Sequence, residues 1–131
     1  MKNFGLSAKE RIKKLNEFRK VFRDGRAVLS LDQKIKAYYF LIKNAKLSEV
    51  KIAVTINKKN GNAVWRNRLR RLIKESYRLS KKELLLTCSE KKCSLYLVIN
   101  PAGFNKKQGK LKLNDTKFLV EDILKKIMAE L

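Results

Sequence analysis

The chain has 131 residues, of which 44% are hydrophobic, so it can form a core and is not expected to be disordered throughout. Its 33 lysines and arginines outnumber 12 acidic residues and give a net charge of +21, which makes nucleic acid the leading partner and an anionic membrane the weaker one. No apolar run approaches the roughly 20 residues of a membrane span and no signal peptide is evident, so we expect a cytoplasmic protein.

The composition also limits the chemistry. The chain contains no histidine, which excludes a nuclease that uses histidine as its general base. Cys88 and Cys93 alone make a poor zinc site, and we expect them to be reduced. Carboxylate-metal chemistry remains open, although the acidic residues form no evident pair. The sequence therefore indicates no catalytic residue and leaves metal binding undecided.

The first predicted element is a helix with Ser7 as its N-cap, because Ser7 and Glu10 match a capping box. Gly25 is placed to end this helix in a left-handed conformation. The apolar residues between them recur at helical spacing, namely Ile12, Leu15, Phe18, Val21 and Phe22.

Two strands are predicted next. Residues 34–42 form a run rich in aromatic side chains, in which Tyr38 and Phe40 share one face. Residues 50–57 alternate, with Val50 and the following apolar residues on one face and Thr55 and Asn57 on the other. One face of the sheet is therefore expected to be buried and the other to be open to a ligand.

A long helix is predicted from Asn62, its N-cap, to about residue 80. Its apolar arc comprises Trp65, Leu69, Leu72, Ile73, Ser76 and Leu79, and its opposite face is basic. A short apolar strand at 95–99 is predicted to be central. A basic loop at 105–112 follows, and then a helix from about Asn114 that turns Leu119, Val120, Ile123, Leu124 and Ile127 inward.

The order helix, two or three strands, helix, strand, helix predicts an α+β fold with helices against one sheet, as a two-layer sandwich and a single domain over residues 1–131.

The start of the long helix is the strongest candidate site. A Gly-Asn turn precedes the helix, so the free backbone N–H groups of its first turn and the positive end of its dipole point toward the same spot. A basic helix face is common and is a weak signal by itself. Here, however, arginine guanidinium groups and an asparagine amide lie in the first turns of the helix, next to that terminus. The candidate nucleic-acid-binding residues are Lys58, Lys59, Asn62, Arg66, Asn67, Arg68, Arg70, Arg71 and Lys74.

This segment resembles the signature of the bacterial ribonuclease P protein subunit. The family pattern is roughly Ser-Lys-Lys-x-Gly-x-Ala-Val-x-Arg-Asn-Arg-x-Lys-Arg, and the chain reads Asn57-Lys58-Lys59-Asn60-Gly61-Asn62-Ala63-Val64-Trp65-Arg66-Asn67-Arg68-Leu69-Arg70-Arg71. The family's first-helix pattern, Phe-x-x-Val-Phe-x-x-Gly, is matched by Phe18-Arg19-Lys20-Val21-Phe22-Arg23-Asp24-Gly25. The departures are mild: Asn57 replaces a usual Ser, Ala53 a common Gly, and Arg70 a frequent Lys.

The resemblance implies a fold like domain 2 of ribosomal protein S5, with a left-handed βαβ crossover. It implies a ribonucleoprotein in which an RNA subunit uses Mg²⁺ to remove the 5′ leader of precursor tRNA. The protein would bind that RNA through the Arg-Asn-Arg helix, and no obligate protein partner is indicated. It would hold the single-stranded leader between the first helix and the open sheet face, where the candidates are Phe18, Phe22, Tyr38, Phe40, Thr55 and Asn57.

Alternatives remain open at this stage. Tyr38 and Phe40 can equally be core residues. A structural RNA-binding protein, such as a ribosomal protein, would use the same basic helix without a cleft. A DNA-binding helix-turn-helix protein fits less well, because predicted strands flank the basic helix.

Overall fold

The computed structural model describes residues 8–104 and 110–131. One sheet contains β1 (Arg26–Leu29), β2 (Lys36–Ile42), β3 (Val50–Val54) and β4 (Ser94–Asn100), in the order β1-β2-β4-β3. The α-helices in these ranges are α1 (Leu15–Asp24), α2 (Ala63–Ser80), α3 (Lys82–Glu90) and α4 (Leu113–Ala129). The predicted α+β class is confirmed, and β4 is central as predicted.

The strand pairing makes β3-α2-β4 a crossover. β4 pairs antiparallel with β2 and parallel with β3. Parallel neighbours cannot be joined by a hairpin, so the chain must leave the sheet and return. It does so through α2 and then α3, which places the N-terminus of α2 beyond the end of β3.

The main core lies between one face of the sheet and helices α2 and α4. Leu69 and Ile73 of α2, Ile123 of α4 and Leu97 of β4 are fully buried there. Each such side chain stabilises the fold by about 1.5–3 kcal/mol through removal from water. The five inward residues predicted for α4 are all buried.

Helix α1 crosses the opposite face of the sheet. Val21 of α1 and Val98 of β4 are both fully buried, yet they are separate from the main core. Strand alternation puts Tyr38 and Val98 on this second face, whereas Tyr39 and Leu97 point into the core. The predicted two layers thus describe the sheet with α2 and α4, and α1 adds partial cover on the other side.

The start of α1 differs from the prediction. Residues Ala8–Glu10 form a 3₁₀ turn, and the α-helix begins only at Leu15. In between, the chain extends the edge of β3: the Ile12 N–H donates to the Ile52 carbonyl at 3.0 Å. This edge pairing supplies backbone hydrogen bonds that a longer helix would have made internally. The predicted cap, Ser7, lies outside the described residues.

Gly25 follows α1 in an extended conformation, with φ −87° and ψ −178°, so the predicted left-handed end is wrong. Glycine is needed here for a different reason. A Cβ at this position would collide with the backbone carbonyls of Val21 and Tyr39. The missing side chain lets α1 turn closely into β1 beside β2.

Further differences concern elements with weak sequence patterns. The predicted two or three strands before the long helix are three, although the sequence gives no position for β1. Helix α3 is not predicted, β2 begins at Lys36 rather than 34, and β3 ends at Val54 rather than 57. On α2, Leu79 is 45% exposed although it was assigned to the apolar arc, and Tyr77 is fully buried instead. In the predicted basic loop, residues 105–109 lie outside the described part.

Both cysteines are buried free thiols, as expected. Burial and the neighbouring Cys93 raise the pKa of the Cys88 thiol to about 12. A thiol with so high a pKa is a poor nucleophile at neutral pH.

Candidate nucleic-acid interface

The N-terminus of α2 is capped as the sequence predicts. The Trp65 N–H donates to Asn62 Oδ1 at 2.9 Å. Lys58 and Lys59 are exposed in the 3₁₀ turn just before it. Because the first N–H groups of a helix have no partner within the helix, Ala63 and Val64 present donors at this end. The Asn62 side chain therefore has a structural task, and Ala63 and Val64 beside it are exposed, as the two lysines are.

The two arginines of the Arg-Asn-Arg run hold the surrounding backbone. Arg66 Nε donates to the Gly61 carbonyl at 3.1 Å. Arg68 donates twice to the Leu111 carbonyl, from Nε at 3.2 Å and from Nη2 at 2.7 Å. Both guanidinium groups are thereby fixed in place before any ligand arrives. Asn67 is exposed, and its Oδ1 accepts a hydrogen bond from Arg70.

Positive charge is uncompensated only along part of α2. Toward the C-terminal end, Arg78 pairs with Glu75 at 2.7 Å, and Lys81 pairs with Glu10. Within residues 8–104 and 110–131, no ion pair involves the candidate residues that precede Glu75 on α2, namely Arg66, Arg68, Arg70, Arg71 and Lys74.

The surroundings of Lys74 show how concentrated this charge is. Burial lowers the pKa of the Lys74 ammonium, and the nearby Arg11 and Arg70 lower it further. Arg11 belongs to the segment that extends the edge of β3. It was not predicted as a site residue, and no pattern in the sequence would have placed it next to α2.

On the other face of the sheet, three aromatic rings form a continuous row along one flank of α1. The ring centroids of Phe18 and Phe22 lie 5.0 Å apart, and those of Phe22 and Tyr38 lie 4.7 Å apart. The Lys36 ammonium lies 5.0 Å from the Tyr38 ring centroid. Phe22 is 44% exposed although it is a large apolar residue. We call Phe18, Phe22 and Tyr38 the aromatic flank.

The aromatic flank faces the end of the sheet from which the chain passes to α2. Lys36 pairs with Asn100 across the strands, and the Thr55 N–H donates to the Ile99 carbonyl at 3.0 Å. Thr55, half-buried, and Asn57, exposed, therefore follow β3 at this same end. Asn100 was missed by sequence reasoning, and its buried Oδ1 has no partner among the described residues. Its strand position relative to Tyr38 is the only signal that could have indicated it.

Phe40 is separated from these residues although it shares their sheet face. The Lys20 ammonium lies 5.3 Å from the Phe40 ring centroid. At about 100° per residue, Lys20 lies about 160° around α1 from both Phe18 and Phe22. Helix α1 thus passes between Phe40 and the aromatic flank.

A polar network joins α1 to the sheet beneath the helix. Lys51 Nζ and the Tyr96 hydroxyl both donate to Glu17 Oε2, each at 3.2 Å. Burial alone would lower the pKa of Lys51, but the hydrogen bond and negative charge of Glu17 outweigh it and raise that pKa. The network fixes the position of α1 over the sheet, and with it the distance between Phe22 on α1 and Tyr38 on β2.

In the described part of the chain, no helix has the length and apolarity to cross a membrane. The same ranges contain no cluster of three or more Cys, Asp or Glu residues arranged to hold a metal ion.

The sequence matches the family model described as Ribonuclease P over residues 6–123. The "Ribonuclease P protein component" of Clostridium novyi is 39% identical over 71 residues, which cover 54% of this chain and 60% of that protein. Its namesake from Clostridioides difficile is 42% identical over 69 residues, which cover 53% of this chain and 56% of that protein. The matched part thus spans less than two thirds of each relative.

Two solved structures share the fold. The Staphylococcus aureus RNase P protein superposes with a TM-score of 0.68 at 22% identity, covering 90% of this chain and 94% of that one. The Thermotoga maritima RNase P protein gives 0.67 at 16% identity, covering 89% and 96%.

Proposed function

The chain belongs to the ribonuclease P protein family, and on that basis we propose that it acts as the protein component of ribonuclease P in the cytoplasm. In this proposal it binds the catalytic RNA subunit and the 5′ leader of precursor tRNA. The RNA subunit uses Mg²⁺ to remove the leader and leave the mature 5′ end. The protein contributes binding and charge neutralisation, and none of its side chains takes part in bond cleavage.

One observation carries the proposal: two different surfaces, one cationic and one aromatic, lie at the same end of the sheet. The cationic surface is the part of α2 from Arg66 to Lys74, where the guanidinium groups and the Lys74 ammonium lack acidic partners among the described residues. The aromatic flank lies on the opposite face of the sheet. A protein between two RNAs needs both surfaces, whereas a purely structural RNA-binding protein needs only the first.

The α2 surface suits the folded RNA subunit. Lys58, Lys59, Arg70, Arg71 and Lys74 supply charge to phosphates, and the helix N-terminus adds backbone donors. Arg66 and Asn67 offer hydrogen bonds in fixed directions from the first turns of the helix. Neutralising phosphates here reduces repulsion between the two RNAs, so less Mg²⁺ is required to bring them together.

The aromatic flank suits a single strand. Stacking of a base on an aromatic ring contributes about 1–3 kcal/mol and tolerates any base. We propose that the leader passes along Phe18, Phe22 and Tyr38 toward Thr55 and Asn57. Phe40, on the other side of α1, is not expected to share this stacking.

The family resemblance carries one further proposal about the fold. We propose that the β3-α2-β4 crossover is left-handed, as in domain 2 of ribosomal protein S5. Most such crossovers are right-handed, so this feature would set the chain apart from ordinary α/β proteins.

Reconstitution tests the proposed function. The RNA subunit from the same genome is incubated with precursor tRNA at limiting Mg²⁺, with and without the protein, and 5′ maturation is followed. We expect cleavage to increase markedly with the protein but not with an unrelated protein of similar charge. Equal stimulation by both would reduce the proposal to bulk electrostatics, and no stimulation by either would contradict it.

A further inference from the structure

An apolar cleft lies on the outer side of α2, beside the cationic surface. It has a volume of about 390 Å³ and is lined by Val64, Arg68, Arg71, Leu72, Glu75 and Leu113. Val64 is 79% exposed, even though the neighbouring outer face of the helix is basic. Valine also has a lower helix propensity than most alternatives. Neither packing nor helix formation explains its presence here.

Arg68 forms a prearranged flat wall of this cleft. Its Nε and Nη2 both donate to the Leu111 carbonyl, two residues before Leu113. A guanidinium held through its edge keeps its planar face available. Such a face stacks well on aromatic rings and on nucleobases.

The charges around the cleft favour an anionic partner. Arg71 is exposed at the rim. Glu75 lies on the wall, but Arg78 neutralises it through two hydrogen bonds of 2.8 and 2.7 Å. The rim is therefore cationic around an apolar floor, which matches a nucleotide: a base with flat stacking faces attached to a phosphate.

We infer that this cleft binds one unstacked nucleobase of the RNA subunit. The base lies against Val64, Leu72 and Leu113 and stacks on the Arg68 guanidinium, and the adjoining phosphate pairs with Arg71. This inference rests on the proposed function. It gives Arg68 a role different from that of a phosphate fork, because its forked edge is already engaged by the protein.

A second copy of this chain is a poorer occupant. Two copies, each with a net charge of +21, repel one another. An RNA nucleotide brings a phosphate of opposite charge.

The test compares Val64→Ser with Leu86→Ser, because Leu86 is likewise an exposed apolar helix residue, at 55%, and does not line the cleft. The dissociation constant for the RNA subunit is measured over a series of salt concentrations. We expect Val64→Ser to weaken binding roughly five- to tenfold with an unchanged salt slope, because the lost contact is apolar. Leu86→Ser should bind like the original chain.

Arg71→Ala should change the salt dependence of RNA binding, which Val64→Ser should not. It should reduce the salt slope by about one, since it removes one phosphate contact. A photo-crosslinker in place of Val64 should then identify one unpaired nucleotide. Thermal unfolding of each variant establishes that the fold is intact.

Several outcomes would overturn the inference. Val64→Ser could bind as tightly as the original chain, or its crosslinks could be spread over many nucleotides. Alternatively, sedimentation could show that Val64→Ser changes self-association of the free protein and not RNA binding. The proposed function fails separately, if the unaltered protein does not stimulate cleavage at all.

Discussion

At Gly25 a single hydrogen in place of a side chain lets α1 lie against the sheet. The carbonyls of Val21 and Tyr39 approach so closely that a methyl group has no room. Both neighbours are backbone atoms and cannot rotate away. Since Val21 anchors α1 and Phe22 follows directly, the geometry of the aromatic flank depends on this position.

We predict that Gly25→Ala lowers the free energy of unfolding by about 1–3 kcal/mol, the usual cost of overpacking. Chemical denaturation measures the change. Precursor tRNA binding should weaken as well, because α1 must shift away from the sheet. An unchanged free energy of unfolding would mean that α1 has another position available.

Two substitutions of Asn62 can separate its contribution to helix capping from its contribution to RNA binding. Asn62→Ala removes the acceptor for the Trp65 N–H and should cost about 1 kcal/mol of stability. Asn62→Asp keeps the acceptor and adds a negative charge that the helix dipole favours, so stability should be retained. The same charge repels phosphates, and RNA binding should fall.

Thermal unfolding and RNA titration of both Asn62 variants check this prediction. Loss of stability in Asn62→Asp would contradict the capping role of this side chain. Unchanged RNA affinity in that variant would show that the N-terminus of α2 does not meet a phosphate.

At the scale of elements, α1 decides which aromatic residues belong together. Strand alternation places Tyr38 and Phe40 on one face, but α1 crosses between them and leaves Phe22 beside Tyr38 and Lys20 beside Phe40. Such a division is a tertiary property that depends on the path of the helix over the sheet.

We predict that Phe22→Leu weakens binding of leader-bearing precursor tRNA by about 1–3 kcal/mol, through loss of a stacking ring. Phe40→Leu is the matched control, since it removes a ring from the same sheet face beyond α1, and it should have little effect. The measurement is precursor affinity in the reconstituted complex. Equal losses would place the leader on both sides of α1.

The cationic surface of α2 leads to a prediction about binding of the RNA subunit. Arg66→Ala should weaken binding of the RNA subunit about tenfold or more, because a directed, charge-assisted contact is lost. Lys125→Ala on α4 is the control with the same change in net charge. Lys126 is less suitable, because its ammonium pairs with Asp122 at 3.0 Å and donates to the Leu29 carbonyl. Equal effects of Arg66→Ala and Lys125→Ala would indicate diffuse electrostatics.

The elements that could be predicted are those with strong periodicity. Helices α2 and α4 and strand β4 have clear apolar patterns, and the structure confirms them. Strand β1 has four residues and an exposed edge, and α3 contains the unpatterned run Leu84-Leu85-Leu86, so neither gave a signal. The residues of α1 were indicated correctly, but its start was not, since pairing with Ile52 along the β3 edge is a long-range contact.

At the scale of the whole molecule, the sheet carries two surfaces of different chemistry on its opposite faces. The Arg-Asn-Arg segment could be recognised from the sequence because its residues are consecutive. The contribution of Arg11, the position of Asn100 and the anchoring of Arg68 by Leu111 depend on residues far apart in the chain. Sequence patterns carry no information about these contacts without the register of the sheet.

This arrangement of surfaces leads to a specific expectation about which tRNA the protein favours. If the α2 surface holds the RNA subunit and the aromatic flank holds a single strand, the protein should favour substrate that still has its leader. A general cationic effect would instead tighten precursor with a short leader and mature tRNA to nearly the same extent, since such a leader adds only a few phosphates to those that every tRNA carries.

The most direct measurement is therefore the affinity of the RNA subunit, with and without the protein, for precursor tRNA and for mature tRNA. We predict that the protein tightens binding of the precursor at least about tenfold, and that the affinity for mature tRNA stays nearly constant. Equal tightening of both tRNAs, or tightening of neither, would contradict a leader-binding protein subunit.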